Sequence, residues 1–230
     1  MLWRVEPCLP TPSKRVPVGP QWVHEIKHDG YRLLVRRQGA RVRVFTRRGY
    51  DWSHRFPLIV EAIARLRVSS IFIDGEGVVC GDDGVSDFDK LHSQGWDEHV
   101  FLYAFDLLEH DGVDYRDEPL ENRKGRLAKL LATADPGVRF NEHIEFDGAI
   151  VFEHACKLGL EGIVSKRRDF PYRSGRTKSW IKVKNPNSAA DRGRDLVILA
   201  RSCHMTYQRL VGLDGDKQTR PPQYPMPASG

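Results

Sequence analysis

Glu25-Ile26-Lys27-His28-Asp29-Gly30-Tyr31-Arg32 is the stretch on which the reading of this chain turns. It lies where one apolar segment ends and another begins, after Trp22-Val23 and before Leu33-Leu34-Val35. Asp29-Gly30 is a tight-turn pair. A lysine beside such a turn, among apolar and cationic neighbours, can have its pKa lowered enough to attack as a free amine. Arg32 offers a planar fork for phosphate or carboxylate. An ordinary charged hairpin carries the same residue types, so the octapeptide has to be weighed against its surroundings.

Downstream, Arg41 to Thr46 alternates in the manner of a half-buried strand, and Gln38-Gly39 predicts a hairpin with the strand before it, arginines on the open face of both. Leu58, Ile59, Ala62, Ile63 and Leu66 follow helical spacing, and Ile71 to Ile73 and Gly77-Val78-Val79-Cys80 read as strands. Val100 to Leu108 is apolar and short enough for a buried strand. Glu121 to Ala132 predicts a helix with Arg and Lys facing out and Leu127, Leu130 and Leu131 on one side. Residues 149–158 predict another helix. Gly162 to Ser165 and Ser179 to Lys184 predict strands flanking the basic turn RRDFPYRSGRTK. Strands and helices interleave without a strict βαβ repeat, which predicts an α+β fold. The domain reading is an extended, proline-rich segment over 1–20, a folded domain over 21–186, and a linker with a short C-terminal tail over 187–230.

The chain has 230 residues, 40% hydrophobic and 29% charged, enough for one large domain or two small ones with a buried core. No apolar run reaches the ~18 residues of a membrane span, and the N-terminus lacks the apolar stretch of a signal peptide, so a soluble cytoplasmic protein with no membrane partner is expected. Cys8, Cys80, Cys156 and Cys203 form no CxxC pair. The net charge of +5 conceals a segregation: residues 1–50 hold 11 Lys/Arg against 3 Asp/Glu, residues 51–156 hold 10 against 22, and residues 157–194 hold 11 against 3. Two basic blocks brought together would focus a field suited to phosphates; the same blocks kept apart would be solvated faces.

Other chemistries find little support. The nine histidines form no HxxH or HExxH pattern, Ser165 and Ser174 lack a nearby His/Asp pair, and Asp82, Asp83, Asp87 and Asp89 lack the spacing and terminal Glu of a calcium loop. Asp74 and Asp106 read equally as turn or strand-end caps and as ligands.

The K-x-D-G-x-R of Lys27 to Arg32 resembles the first motif of the covalent nucleotidyltransferases, namely ATP-dependent DNA ligases, RNA ligases and mRNA capping enzymes. Later segments resemble that family's further motifs in order: Thr46-Arg47-Arg48-Gly49, Asp74-Gly75-Glu76-Gly77-Val78-Val79, Tyr103-Ala104-Phe105-Asp106-Leu107-Leu108, Glu161-Gly162-Ile163-Val164-Ser165-Lys166 and Trp180-Ile181-Lys182-Val183-Lys184. The wording is most similar to DNA ligases, particularly bacterial end-joining ligases. The resemblance implies an ATP-grasp-like nucleotidyltransferase fold with antiparallel sheets flanked by helices. It further implies a lysine-AMP intermediate on Lys27 and transfer of AMP to the 5′-phosphate of nicked or broken duplex DNA in a bacterial nucleoid.

The chemistry asks for an amine nucleophile, cations at the α-phosphate, carboxylates for a metal and a slot for a purine. Lys27 fills the first role. Lys182 and Lys184, two apart on a strand, share one face for the second. Glu76 and Glu161 would hold Mg²⁺ or Mn²⁺. By resemblance Phe105 stacks on adenine, Glu25 accepts from the adenine amine, Arg32 and Arg47 hold phosphate or ribose, and Glu76 serves ribose as well. His28 falls at a variable position. DNA ligases of this family continue into an OB-fold domain, for which the residues after Lys184 are too few, so the expectation is an adenylation domain without it. DNA grip would then come from its arginines or from a repair partner protein. The alternatives are an RNA-joining or capping enzyme and a non-ligating module that binds DNA ends.

Overall fold

The computed structural model describes residues 6–81 and 84–188. Apart from Asn187 and Ser188, the expected linker and tail lie outside the described residues, as do Asp82 and Asp83 of the acidic loop. Numbered along the chain, the strands are β1 (Cys8–Pro12), β2 (Trp22–Ile26), β3 (Tyr31–Gln38), β4 (Arg41–Thr46), β5 (Ser70–Val78), β6 (Phe101–His110), β7 (Val113–Asp114), β8 (Val138–Phe140), β9 (Gly162–Arg167) and β10 (Gly175–Lys184). The helices are α1 (Pro57–Arg65), α2 (Phe88–His92), α3 (Leu120–Leu131) and α4 (Gly148–Lys157). The strands make two sheets, one ordered β1-β10-β9-β2 and one ordered β4-β3-β5-β6-β7 with β8 also on β6.

The expected hairpin is present: β3 and β4 pair antiparallel around Gly39, whose φ of 56° is one that glycine adopts at no steric cost. The octapeptide is different. Glu25 and Ile26 end a strand of the four-stranded sheet, whereas Tyr31 begins a strand of the six-stranded one, so Lys27 to Gly30 cross between sheets rather than turn a hairpin. Gly30 is needed for closeness: a Cβ there would stand 2.3 Å from the Gly77 carbonyl oxygen. The apolar run at Ile71 and the one at Gly77 belong to a single strand, β5, because Asp74-Gly75-Glu76 stays extended between β3 and β6.

The proline-rich N-terminal segment contributes β1, an edge strand, the place where a residue without an N–H is tolerated in a sheet. It runs parallel to β10, and β8 runs parallel to β6; the other pairings are antiparallel. α1 and α3 cover one face of the larger sheet, where Ile59, Ile63 and Leu127 join Leu33, Val35, Ile73 and Leu102 in one core. α4 covers the back of the smaller sheet through Val151 and Ala155 against Ile163. Between the sheets lies a third cluster: Cys8, Leu34, Phe105, Leu108, Tyr172 and Trp180. Among the described residues, no helix is long and apolar enough to cross a membrane.

α3 overturns one expectation. Its Arg123 and Lys124 do not face out but are 0% and 1% exposed. Arg123 Nε and Nη2 donate to Asp106 at 2.7 and 2.8 Å, and Nη1 donates to the carbonyls of Glu118 and Phe170 at 2.5 and 3.1 Å. A helical-period count cannot register this, since a cation is kept inside by a carboxylate distant in sequence. Asp106 is therefore neither a cap nor in the cleft.

Removing one member of that pair leaves the other charge stranded. Arg123→Met is expected to destabilise the domain by about 3–5 kcal/mol, and Arg123→Met with Asp106→Leu to recover most of the loss, in urea unfolding followed by circular dichroism.

Candidate active site

The two sheets enclose a cleft of about 910 Å³ counting its open mouth. The apolar cluster between the sheets forms its floor through Phe105 and Trp180. Glu25 from β2 and Lys27 from the crossover stand on one wall, Arg32 and Glu76 from β3 and β5 on another, and Lys182 from β10 with Pro10 from β1 on a third; Arg47, just beyond β4, reaches the mouth.

Lys27 Nζ is in contact with Glu161 Oε2, and Lys184 Nζ lies 3.2 Å from Glu161 Oε1, so one carboxylate bridges two motif lysines. The nearest charged group to the Lys27 amine is thus a carboxylate rather than Lys182. Backbone bonds fix the arrangement: Lys27 N donates to Gly162 O at 3.0 Å and Asn185 N to Glu161 O at 2.9 Å. Gly162 has φ 140°, and a Cβ on it would stand 2.1 Å from Val183 O, so only glycine lets β9 lie this close to β10. Burial lowers the Lys182 pKa, with Lys27 and Lys184 adding repulsion. Burial also pushes the Glu76 carboxyl up to about 7, against the pull of Arg32 and Lys27.

Glu25 is buried and has three partners. Its Oε1 accepts from Lys124 Nζ at 2.8 Å; its Oε2 accepts from Asn141 Nδ2 at 3.2 Å and lies 2.7 Å from Lys166 Nζ. Burial alone would raise its pKa, but Lys124 and Lys166 outweigh that and hold it below the usual carboxylate range. Burial lowers Lys166 to about 8 despite Glu25. The Phe105 ring has Lys166 Nζ 4.2 Å and Arg32 Cζ 4.5 Å from its centroid, so cations already stand over the aromatic surface expected to meet a base.

Arg32 spends its fork inside the protein. Nε and Nη2 donate to Asp74 at 2.5 and 2.7 Å, Nη2 also donates to Cys8 O at 3.0 Å, and Tyr172 donates to the same carboxylate at 2.6 Å. Asp74 is accordingly the partner of Arg32, not a cap. His28, read as a variable position, stacks on Tyr103 with centroids 3.9 Å apart and the rings 7° from parallel. Its Nε2 bonds to Asn141 Oδ1 at 3.1 Å.

Glu25, Lys27, Arg32, Arg47, Glu76, Phe105 and Lys182 thus line one cleft, and Glu161 and Lys184 join it through Lys27. Asn141, Arg176 and Trp180 also line it and Lys124 joins it through Glu25, though the sequence reading gave none of them a place in this cleft. Lys166 sat in a quoted motif without a role. Asn141, in Arg139-Phe140-Asn141-Glu142, carries no pattern that could have flagged it. Among the described residues, no three His, Cys, Asp or Glu side chains gather as a metal cluster.

The sequence profile of the ATP dependent DNA ligase domain matches residues 13–184. A multifunctional non-homologous end joining protein LigD of Pseudomonas aeruginosa is 40% identical over 184 residues, which are 78% of this chain and 22% of that protein. A probable DNA ligase of Pseudarthrobacter chlorophenolicus is 35% identical over 199 residues, covering 82% of this chain and 37% of that one. The chain therefore spans well under half the length of these curated relatives. Among solved structures, a mycobacterial DNA ligase D complexed with ATP and MES superposes with a TM-score of 0.70 at 34% identity, over 78% of this chain and 60% of the other. The ligase domain of Mycobacterium tuberculosis LigD gives 0.69 at the same identity. The folds of these neighbours and the mixed sheets with flanking helices agree on an α+β nucleotidyltransferase domain.

Burial lowers the His28 pKa from the ordinary 6.5 to about 4, so the unfolded chain binds a proton more readily than the folded one between those values. Stability from this group is present above pH ~6.5 and is lost as pH falls toward 4. Thermal melts across that range should show wild type losing stability relative to His28→Gln as the pH drops; parallel curves would contradict the assignment.

Proposed function

The chain belongs to the family of ATP dependent DNA ligase domains, and on that premise we propose that it adenylates itself on Lys27 and passes the AMP to a DNA 5′-phosphate. The observation that carries the reading is the gathering of Lys27, Lys182 and Glu76 in one cleft with a buried Glu25, and the bridging of Lys27 and Lys184 by Glu161. Amine, cations and a hydrogen-bond acceptor in one cleft are the groups that a nucleoside triphosphate calls for.

Lys27 Nζ attacks the α-phosphorus of ATP, an N–P bond forms, and pyrophosphate leaves. Lys182 and Lys184 lie on one strand face beside the amine and stabilise the charge that builds on the phosphate oxygens. Glu25 accepts from the adenine amine, Phe105 lines the base slot, and Arg47 at the mouth meets phosphate or ribose. Arg32, committed to Asp74, shapes the wall between them. Glu76 and Glu161 would hold a hard divalent cation, Mg²⁺ or Mn²⁺, through the carboxylate oxygens that such a cation prefers. When bound, that cation supplies Lewis-acid stabilisation of phosphate charge. In the second half of the reaction AMP moves to the 5′-phosphate of nicked or broken duplex DNA, and the 3′-hydroxyl displaces it. The basic residues around 167–176 and the first basic block give the duplex its phosphate contacts, together with a repair partner where one is needed.

Incubation with α-labelled ATP and Mg²⁺ should place label on wild type and none on Lys27→Ala, with Lys182→Ala slowed by about 10²-fold. Equal labelling of wild type and Lys27→Ala would refute the assignment. Pre-labelled enzyme should pass its label to nicked DNA in preference to nicked RNA.

A further inference from the structure

Glu25 is an unusual recognition group because every contact that orients it is buried. Of roughly four acceptor positions on a carboxylate, three are occupied by Lys124, Asn141 and Lys166, and Oε1 keeps the spare one. Lys124 also donates to Asn141 O at 2.7 Å, and Asn141 N donates to Ala104 O at 2.7 Å, so Asn141 is anchored by its backbone on both sides.

The chemistry of Asn141 then runs in one direction. Glu25 is ionised and can only accept, so the atom facing it must be the Asn141 amide nitrogen. Oδ1 is thereby turned to His28, whose Nε2 must be the donor. The imidazole is kept in place by its stack on Tyr103. The result is a one-way chain from His28 through Asn141 to Glu25, with no freedom for the amide to flip.

Resting on the adenine role proposed for Glu25, we infer that Asn141, oriented by His28, is the positioning residue that sets the purine selectivity of the cleft. A fixed acceptor favours a purine with an amine at C6 and disfavours one with a keto oxygen there, which would face Glu25 acceptor to acceptor. Selectivity of this kind depends on the carboxylate being unable to turn away, and its three buried partners enforce that. Lys124 and Lys166 supply charge, but Asn141 is the neutral partner and fixes the plane of the carboxylate without altering the net charge of the site.

The experiment measures Kd for ATP and for inosine triphosphate by calorimetry, on the whole chain without turnover, for wild type, Glu25→Gln, Asn141→Ala and His28→Phe. Wild type should prefer ATP by about 10²-fold or more. Asn141→Ala should weaken ATP about 10-fold while leaving inosine triphosphate within about twofold, and His28→Phe, which keeps a ring against Tyr103 but removes the donor, should move the ratio the same way by less. Equal weakening of both nucleotides in the two variants, or no change in the ratio, overturns the positioning role. A ratio lost in Glu25→Gln but retained in Asn141→Ala overturns the positioning role alone. Equal affinity of wild type for the two nucleotides overturns the base reading and the inference with it.

Discussion

At Gly30 the chain leaves one sheet and enters the other, passing so close beneath the Gly77 carbonyl that no side chain fits. The rest of the structure depends on this crossing. It puts Lys27 between the sheets rather than on either, so that the amine meets Glu161, just before β9 and itself paired with Lys184 of β10, while Glu76 and Arg32 of the larger sheet line the same cleft. The second tight approach, at Gly162 beneath Val183, does the same for Glu161. Two backbone contacts that exclude a Cβ therefore define where the Lys27 amine and the Glu161 carboxylate can meet.

The cleft is built from charges taken out of water, which is costly unless each has a partner. Here partners come from opposite blocks of the sequence. Arg32 of the first basic block pairs with Asp74 of the acidic middle, and Glu25 of the first block takes Lys124 of the middle and Lys166 of the last. The charge segregation along the chain becomes neutralisation inside it, while Lys182, Arg176 and Arg47 line the cleft without a carboxylate partner among the ion pairs of the described residues.

The strands and helices were legible wherever a local period governs them, as in the β3–β4 hairpin and α1. The motifs were legible by their order, which resembles that of a known family, and the structure brings most of their singled-out residues to one cleft. What escaped was set by partners far away in sequence. Arg123 and Lys124 read as solvent-facing because their spacing on α3 carries no trace of Asp106 and Glu25. The octapeptide read as a turn because Asp-Gly is a turn pair, whereas the glycine answers to a strand 47 residues on. Asn141 had no signal at all, since its contacts exist only once β2, α3 and the segment after β8 are assembled.

β1 lies parallel to β10, with Cys8 opposite Gly175 and Ser13 N bonded to Lys182 O at 2.9 Å. The first strand of the fold has no neighbour in its sheet until the last one exists. During synthesis on a ribosome, the cleft between the sheets is consequently among the final features to close. Its third wall forms only after the emergence of β10, through a loop closure of some 166 residues, a pairing of the high sequence separation that slows folding. Until then Leu9, Pro10 and the apolar floor beneath them stand open, so the interval between the appearance of β1 and that of β10 is the period in which a nascent chain of this kind most needs protection from aggregation.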